Sequence, residues 1–342
     1  MGASPRAKFF LLSIGLLLLF FLFLLYWFLF VPPSGTALTK IIFIKKGNHL
    51  KRVSEVLQQE GIVKNRLFFV LLAAILGQKT KIKAGEYEFH TQMLPLEVLD
   101  ALVKGQVKRH LVTIPEGYTL SQIAQLLEDL NLVEKKGFLQ KAASPAFINA
   151  LGLSELAGPT LEGYLFPDTY HVFREMDPEE VIQMMVHQFK KVFAPDLVHR
   201  ASELGISERE AVILASIIEK ETSLSEEKPL ISAVFHNRLK RNIPLQSDPT
   251  VIYGIKNFDG NLTKENLLKQ TPYNTYLVVG LPPTPICNPG KESLLAAVQP
   301  APVPYLYFVS KNDGSHYFSS EIEEHNRAVW KYQKFQRKKI SE

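Results

Sequence analysis

The stretch SEREAVILASIIEKET, Ser207 to Thr222, puts a carboxyl where proton transfer can be done. Ser207 followed three residues later by Glu210 is a capping-box pattern and predicts a helix start. The run Ala211 to Ile218 carries no charge, and a helix that is apolar all round is buried. Glu219 follows at the edge of that dry core. Its neighbours on the helix wheel are Val212, Ala215 and Ser216, small side chains that leave room for something else to lie against the helix. Desolvation disfavours a charged carboxyl and raises its pKa, which suits a general acid near neutral pH. The same position also suits a solvated helix end or one half of an ion pair. Glu221 points about 160° away, over Leu214 and Ile217, so the two carboxyls cannot act as a facing pair.

A second set of residues could bind rather than react. PLQSDPTVIYG (Pro244 to Gly254), TPYNTY (Thr271 to Tyr276) and GLPPTPICNPG (Gly280 to Gly290) are loops poor in charge and rich in Asn, Thr, Tyr and Pro. Gln246, Asp248, Asn274 and Tyr276 offer paired donors, acceptors and an aromatic face, the equipment of a carbohydrate cleft. Turn geometry is their alternative role. Asp248 is the residue to suspect if a second carboxylate is required. No HExxH, CxxC, GxSxG or Gly-rich phosphate loop is present, so neither a metal nor a cofactor is expected. The single cysteine, Cys287, excludes an intrachain disulfide and reads as a small filler.

The elements that must position these groups are legible in outline. From Phe9 through Val31 there is no charged residue, a run long enough to cross a bilayer. Arg6 and Lys8 precede it, so the amino end is expected in the cytoplasm and the rest outside. VPPSGTAL reads as a short extended linker. The chain then nearly repeats itself: a strand, a Gly-containing turn and an amphipathic helix recur at an offset of seventy positions, Gly47 matching Gly117. Ala84 to Phe89 alternates as a strand, and Leu94 to Val103 reads as a helix. Helices are also predicted from Asp177 through Phe189, over Lys228 to Arg241 and over Ser293 to Val298. A net charge of +5 with no nucleic-acid motif argues against nucleic acid and for a membrane or anionic-polymer surface, the most basic stretch being Lys331 to Lys339.

Taken in order, ASIIEKET, EGYLFPDTY, VFHNRL, PLQSDPTVIYG, YNTY, GLPPTPICNPG, YLYFV and GSHYF with EHN resemble the endolytic murein transglycosylase (YceG-like) family. The resemblance covers the chain from about Ile41 to Lys334. It implies an α+β fold: a single transmembrane helix over 9–31 after a cytoplasmic segment 1–8, a linker 32–40, a LysM-like α+β region over 41–158, and a mixed α+β catalytic domain with a central buried helix over 159–342. The family's catalytic glutamate falls on Glu219. The implied reaction cuts the β-1,4 bond between N-acetylmuramic acid and N-acetylglucosamine in peptidoglycan, without water, and leaves a 1,6-anhydro end. A role in ending strand growth, with glycan strands as substrate and peptidoglycan synthases as candidate partners, would follow. Two alternatives remain at this point: a lysozyme-like hydrolase on the same polymer, and a non-catalytic wall-binding scaffold.

Overall fold

The computed structural model describes residues 5–334, so the start of the expected cytoplasmic segment and the basic tail beyond Lys334 lie outside the described residues. The architecture is mixed α+β and divides into two compact units, 1–110 with 173–175, and 111–172 with 176–342.

The first unit opens with α1 (Pro5–Phe30), followed by β1 (Thr39–Ile44), α2 (Leu50–Gln59), α3 (Arg66–Ile75), β2 (Gly85–His90) and α4 (Pro95–Lys104). Within α1, Leu12–Phe30 is long and apolar enough to cross a membrane, with mean hydropathy 2.6. β1 and β2 pair antiparallel from Thr39↔His90 to Ile44↔Gly85. Their alternation sends Ile42, Ile44, Tyr87 and Phe89 to one face, where they meet Val53 and Leu57 of α2, Phe69 of α3 and Leu102 of α4. Phe28 belongs to this core, so the end of α1 is built into the unit. The expected linker is also pinned: Leu38 N donates to Thr91 Oγ1 (3.0 Å), Thr91 Oγ1 to Thr36 O (2.7 Å) and Gln92 Nε2 to Gly35 O (3.0 Å).

The second unit runs β3 (His110–Thr113), α5 (Leu120–Asp129), α6 (Lys135–Ala142), α7 (Pro145–Ala150), β4 (Thr169–Val172), α8 (Pro178–Val192) and α9 (Pro195–Glu203). It continues with α10 (Glu208–Glu221), α11 (Lys228–Lys240), α12 (Asp248–Tyr253), α13 (Lys264–Leu268) and α14 (Lys291–Val298). β5 (Tyr307–Ser310), β6 (His316–Ser319), α15 (Ile322–Val329) and a π turn over Trp330–Lys334 complete it. β3 pairs with β4, and β5 pairs antiparallel with β6. α2 and α5 are both ten residues long, and each follows a left-handed glycine, Gly47 and Gly117.

α10 organises the functional region. Ser207 Oγ accepts from Glu210 N (3.2 Å) while Glu210 Oε2 accepts from Ser207 N (2.8 Å), the reciprocal cap the sequence predicts and worth about 1 kcal/mol. Ala211 to Ile218 are buried. The helix packs against α9, α11, α12 and α14.

Candidate active site

Glu219 sits in the last turn of α10, and three donors converge on its carboxylate. Ser293 Oγ donates to Oε2 at 2.6 Å and Gly290 N at 3.0 Å, both from the start of α14. Lys228 Nζ, from the first turn of α11, lies 3.3 Å from Oε2 and 3.5 Å from Oε1. The wall expected to be apolar is therefore a polar cage. The wheel neighbours of Glu219 on α10 are small, but the groups that reach its head come from the start of α11 and the entry to α14, which the helix wheel of α10 does not contain.

What lies against the small face of α10 is the GLPPTPICNPG loop. Ile286 N donates to Ser216 Oγ (3.0 Å), and Cys287 Sγ lies 3.3 Å from Ser216 O. Burial pushes the Cys287 thiol well up, so it packs as a neutral filler. This loop carries Gly290 to the Glu219 carboxylate.

A second carboxyl stands across the same ammonium. Glu116 Oε2 is 3.9 Å from Lys228 Nζ, and its side chain is half exposed, whereas those of Lys228 and Glu219 are 4% and 8% exposed. Burial, followed by the charge of Glu219, raises the pKa of Glu116, and Lys228 only partly opposes this. Glycine at residue 290 makes room for the Glu116 carboxyl, because a Cβ there would fall 2.0 Å from it. Gly117 beside it is left-handed at φ 75°, and a Cβ there would lie 3.5 Å from Glu219 Cγ. The PEG sequence at 115–117 thus carries both an acid and the close backbone approach it needs.

Asn288 and Glu162 lock these segments together. Asn288 is fully buried; its Oδ1 accepts from Gly163 N (3.0 Å) and Leu165 N (2.9 Å), and its Nδ2 donates to Tyr118 O (2.9 Å) and Glu162 Oε1 (3.1 Å). Glu162 also accepts from Leu120 N at the start of α5 (3.0 Å) and from Tyr253 OH (3.2 Å). Burial outweighs these donors and pushes its pKa up to about 7. Glu227, the residue before Lys228, accepts from His316 N (2.8 Å) and faces His316 Nδ1 at 2.6 Å, fixing the entry to α11.

The remaining sequence-predicted residues form a separate group. Glu221 accepts from Ser247 Oγ, and burial pushes its pKa up to about 7. Gln246 has a left-handed backbone at φ 54°, and its Oε1 accepts from Arg238 Nη1 at 3.2 Å. Asp248 Oδ1 accepts from Tyr276 OH (2.6 Å) at an exposed position. Asn274 is buried, and its side chain is spent within the loop: Nδ2 donates to Leu267 O (3.0 Å) and Lys269 O (2.8 Å), and Oδ1 accepts from Tyr276 N (3.0 Å). These residues gather around Glu221 and Arg238, and none of them is among the hydrogen-bond partners of Glu219.

Comparison with known proteins decides the family. The model of the YceG-like family matches residues 42–331. The chain belongs to the YceG-like family. An endolytic murein transglycosylase of Bacillus subtilis (strain 168) is 31% identical over 305 residues, covering 85% of this chain and 84% of that protein. One of Streptococcus pneumoniae serotype 2 is 30% identical over 315 residues, 84% of this chain but 57% of that longer protein. The 2.6 Å crystal structure of a yceG-like protein from Listeria monocytogenes is 30% identical, has a TM-score of 0.58, and covers 86% of this chain and 100% of its own.

Within this YceG-like chain, Glu116, Lys228, Gly290 and Ser293 were not singled out by sequence reasoning. The adjacent signals were present: PEG after a strand, NPG before a helix, and a lysine opening a helix that is otherwise buried. A buried Lys demands a partner, and Glu219, at the end of the charge-free run of the preceding helix, is a carboxyl within reach.

Proposed function

We propose that this protein is an endolytic peptidoglycan lytic transglycosylase, with Glu219 as its proton donor and acceptor. One observation carries the reading. A buried carboxyl receives an ammonium, a hydroxyl and an amide, and shares the ammonium with a second, half-exposed carboxyl. Burial and the neighbouring Glu219 hold Glu116 back from ionising, so a carboxyl with a raised pKa stands beside the caged one.

The chemistry follows from that cage of donors. Glu219 gives its proton to the glycosidic oxygen as the C1–O bond breaks, and the three donors stabilise the carboxylate left behind. The C6 hydroxyl of the same N-acetylmuramic acid attacks C1 and returns its proton to Glu219, closing the 1,6-anhydro ring. Because the nucleophile is part of the substrate, no second carboxylate has to activate water. The relatives named endolytic murein transglycosylases support this reaction. Glu116 favours the hydrolase as a second reading, since a second carboxyl near the first is what activation of water requires.

In this reading Gln246, Asp248 and Tyr276 bind the glycan, with Asn274 bracing the loop that presents Tyr276. The β1-α2-α3-β2 order matches the strand, helix, helix, strand plan of a LysM-like glycan-binding module. α1 anchors the chain in the cytoplasmic membrane, with Arg6 and Lys8 on the inner side and both units outside, beside newly made glycan and its synthases.

The test is digestion of purified peptidoglycan by the full chain, with mass spectrometry of the products. The expected result is 1,6-anhydro ends, lost by about a hundred- to ten-thousand-fold in Glu219→Gln. Reducing ends that have gained water would replace the lyase by the hydrolase. Products unchanged by Glu219→Gln would remove Glu219 from the chemistry.

A further inference from the structure

α3 is apolar all round. Every residue from Leu67 to Leu76 is uncharged and apolar, which is unusual for a helix at the surface of a small unit. One side of it is accounted for: Phe69 and Ala73 are fully buried in the core of the first unit. The other side is not. Leu67, Leu71 and Ile75, spaced at i, i+4 and i+8 on one stripe, are 68%, 43% and 75% exposed. At ten residues the helix is about 15 Å long, too short to cross a bilayer.

Its neighbour shows what covers the stripe. Phe68 of α3 packs edge-on against two rings of α1, Phe28 (5.5 Å between centroids) and Phe21 (6.2 Å). Phe21 is the midpoint of the Leu12–Phe30 run, and the two phenylalanines are separated by roughly 10 Å along the helix. α3 therefore lies beside the distal half of the span rather than beyond its end. Lys64, just before α3, stands 3.6 Å over the Trp27 ring and donates to Trp27 O (3.2 Å), an aromatic and cationic pair of the kind found at a membrane interface. After the apolar run come the exposed Lys79 and Lys81.

We infer that α3 is a second membrane contact: its Leu67–Leu71–Ile75 stripe enters the outer leaflet beside α1, with Lys64, Lys79 and Lys81 at the level of anionic phospholipid head groups. The inference rests on α1 being the membrane anchor. It changes what the anchor does, because a span joined only by an extended linker would let the first unit rotate freely, whereas two apolar helices in one leaflet fix that unit's height and tilt. The pinned segment from Ser34 to Leu38 is consistent with a rigid mounting.

The experiment uses full-length protein in vesicles of phosphatidylethanolamine and phosphatidylglycerol, spin-labelled at a single introduced cysteine. Cys287 is buried, and unsubstituted protein measures its background labelling. Collision with oxygen reports lipid and collision with a water-soluble nickel chelate reports water. Leu19→Cys marks the span and Lys51→Cys the aqueous surface. The proposal expects Leu71→Cys and Ile75→Cys to show the oxygen contact of Leu19→Cys and to lose most of the chelate contact seen at Lys51→Cys. Chelate contact at 71 and 75 with Leu19→Cys in lipid would overturn it while leaving the anchor intact. Chelate contact at all three sites would overturn the anchor itself. Shielding of 71 and 75 from both reagents would show a protein partner on the stripe and also overturn the proposal.

Discussion

Lys228 Nζ lies 3.3 Å from Glu219 Oε2, and both side chains are almost completely withdrawn from solvent. A lysine held there has no other full counter-charge, because Glu116 at 3.9 Å is half exposed. Removing one partner of such a pair leaves an uncompensated buried charge and costs about 3–5 kcal/mol. Lys228→Met is expected to lower the melting temperature accordingly. It also removes one of the three donors to the Glu219 carboxylate, so kcat should fall with KM nearly unchanged in whatever activity remains. An unchanged kcat in a folded Lys228→Met protein would separate the ammonium from the reacting carboxyl.

Gly290→Ala tests the second carboxyl without touching its charge. The backbone at 290, φ −77° and ψ 174°, suits alanine, so the only conflict is with the Glu116 carboxyl, 2.0 Å from the new Cβ. Glu116 can swing into solvent, and stability should change little. Activity should fall to the level of Glu116→Ala, and adding Gly290→Ala to Glu116→Ala should cost nothing further. Thermal melts and product yields for the cycle of four proteins check this; additive losses would mean that Gly290 acts through its amide on Glu219 instead.

The helix that carries Glu219 was readable because its signals are local. The Ser207–Glu210 cap, the charge-free run and the divergence of Glu221 each depend on residues within one or two turns. So was the strand expected over Ala84 to Phe89, which follows from a short alternation and is found at Gly85–His90. The polar cage was not readable. Its members come from positions 116, 228, 290 and 293, brought together by α11 packing on α10 and by the 280–290 loop crossing the small face of that helix. Periodicity says which face of a helix is buried, but not which distant group lies over it. Asn274 shows the converse: a polar residue in a loop rich in Tyr and Thr suggests a ligand, yet its three hydrogen bonds are all to nearby backbone, at Leu267, Lys269 and Tyr276.

That difference between Asn274 and Tyr276 is measurable. Asn274→Ala leaves the carbonyls of Leu267 and Lys269 and the amide of Tyr276 without partners, and should cost about 1–3 kcal/mol of stability. Tyr276→Phe removes only an exposed hydroxyl bond to Asp248 and should leave the melting temperature within about 1 °C. If Tyr276 and Asp248 meet the sugar, Tyr276→Phe should raise KM with kcat nearly unchanged. A fall in kcat at constant KM would place the pair at the reacting bond instead.

Glu221 makes the stability of the second unit depend on pH in an unusual direction. Its carboxyl is buried against Ser247 Oγ, and burial pushes its pKa up to about 7 from an ordinary value of 4.5, with Asp248 adding to the rise and Arg238 opposing it. Between those two values the folded state holds a proton that the unfolded chain has released. Stability from this group is therefore fully present below pH 4.5 and is lost as pH rises through about 7. A shift of this size corresponds to about 3 kcal/mol, or a melting temperature lower by roughly 6–12 °C at pH 8 than at pH 4.5 for this group alone. Glu162, pushed up to about 7 in the same way, acts in the same window. Glu221→Gln keeps an oxygen for Ser247 but cannot ionise, so it should remove that share of the decline and melt higher than the parent at pH 8. Equal slopes for parent and variant between pH 4.5 and 8 would mean that Glu221 is ionised in the fold, with Arg238 compensating its charge.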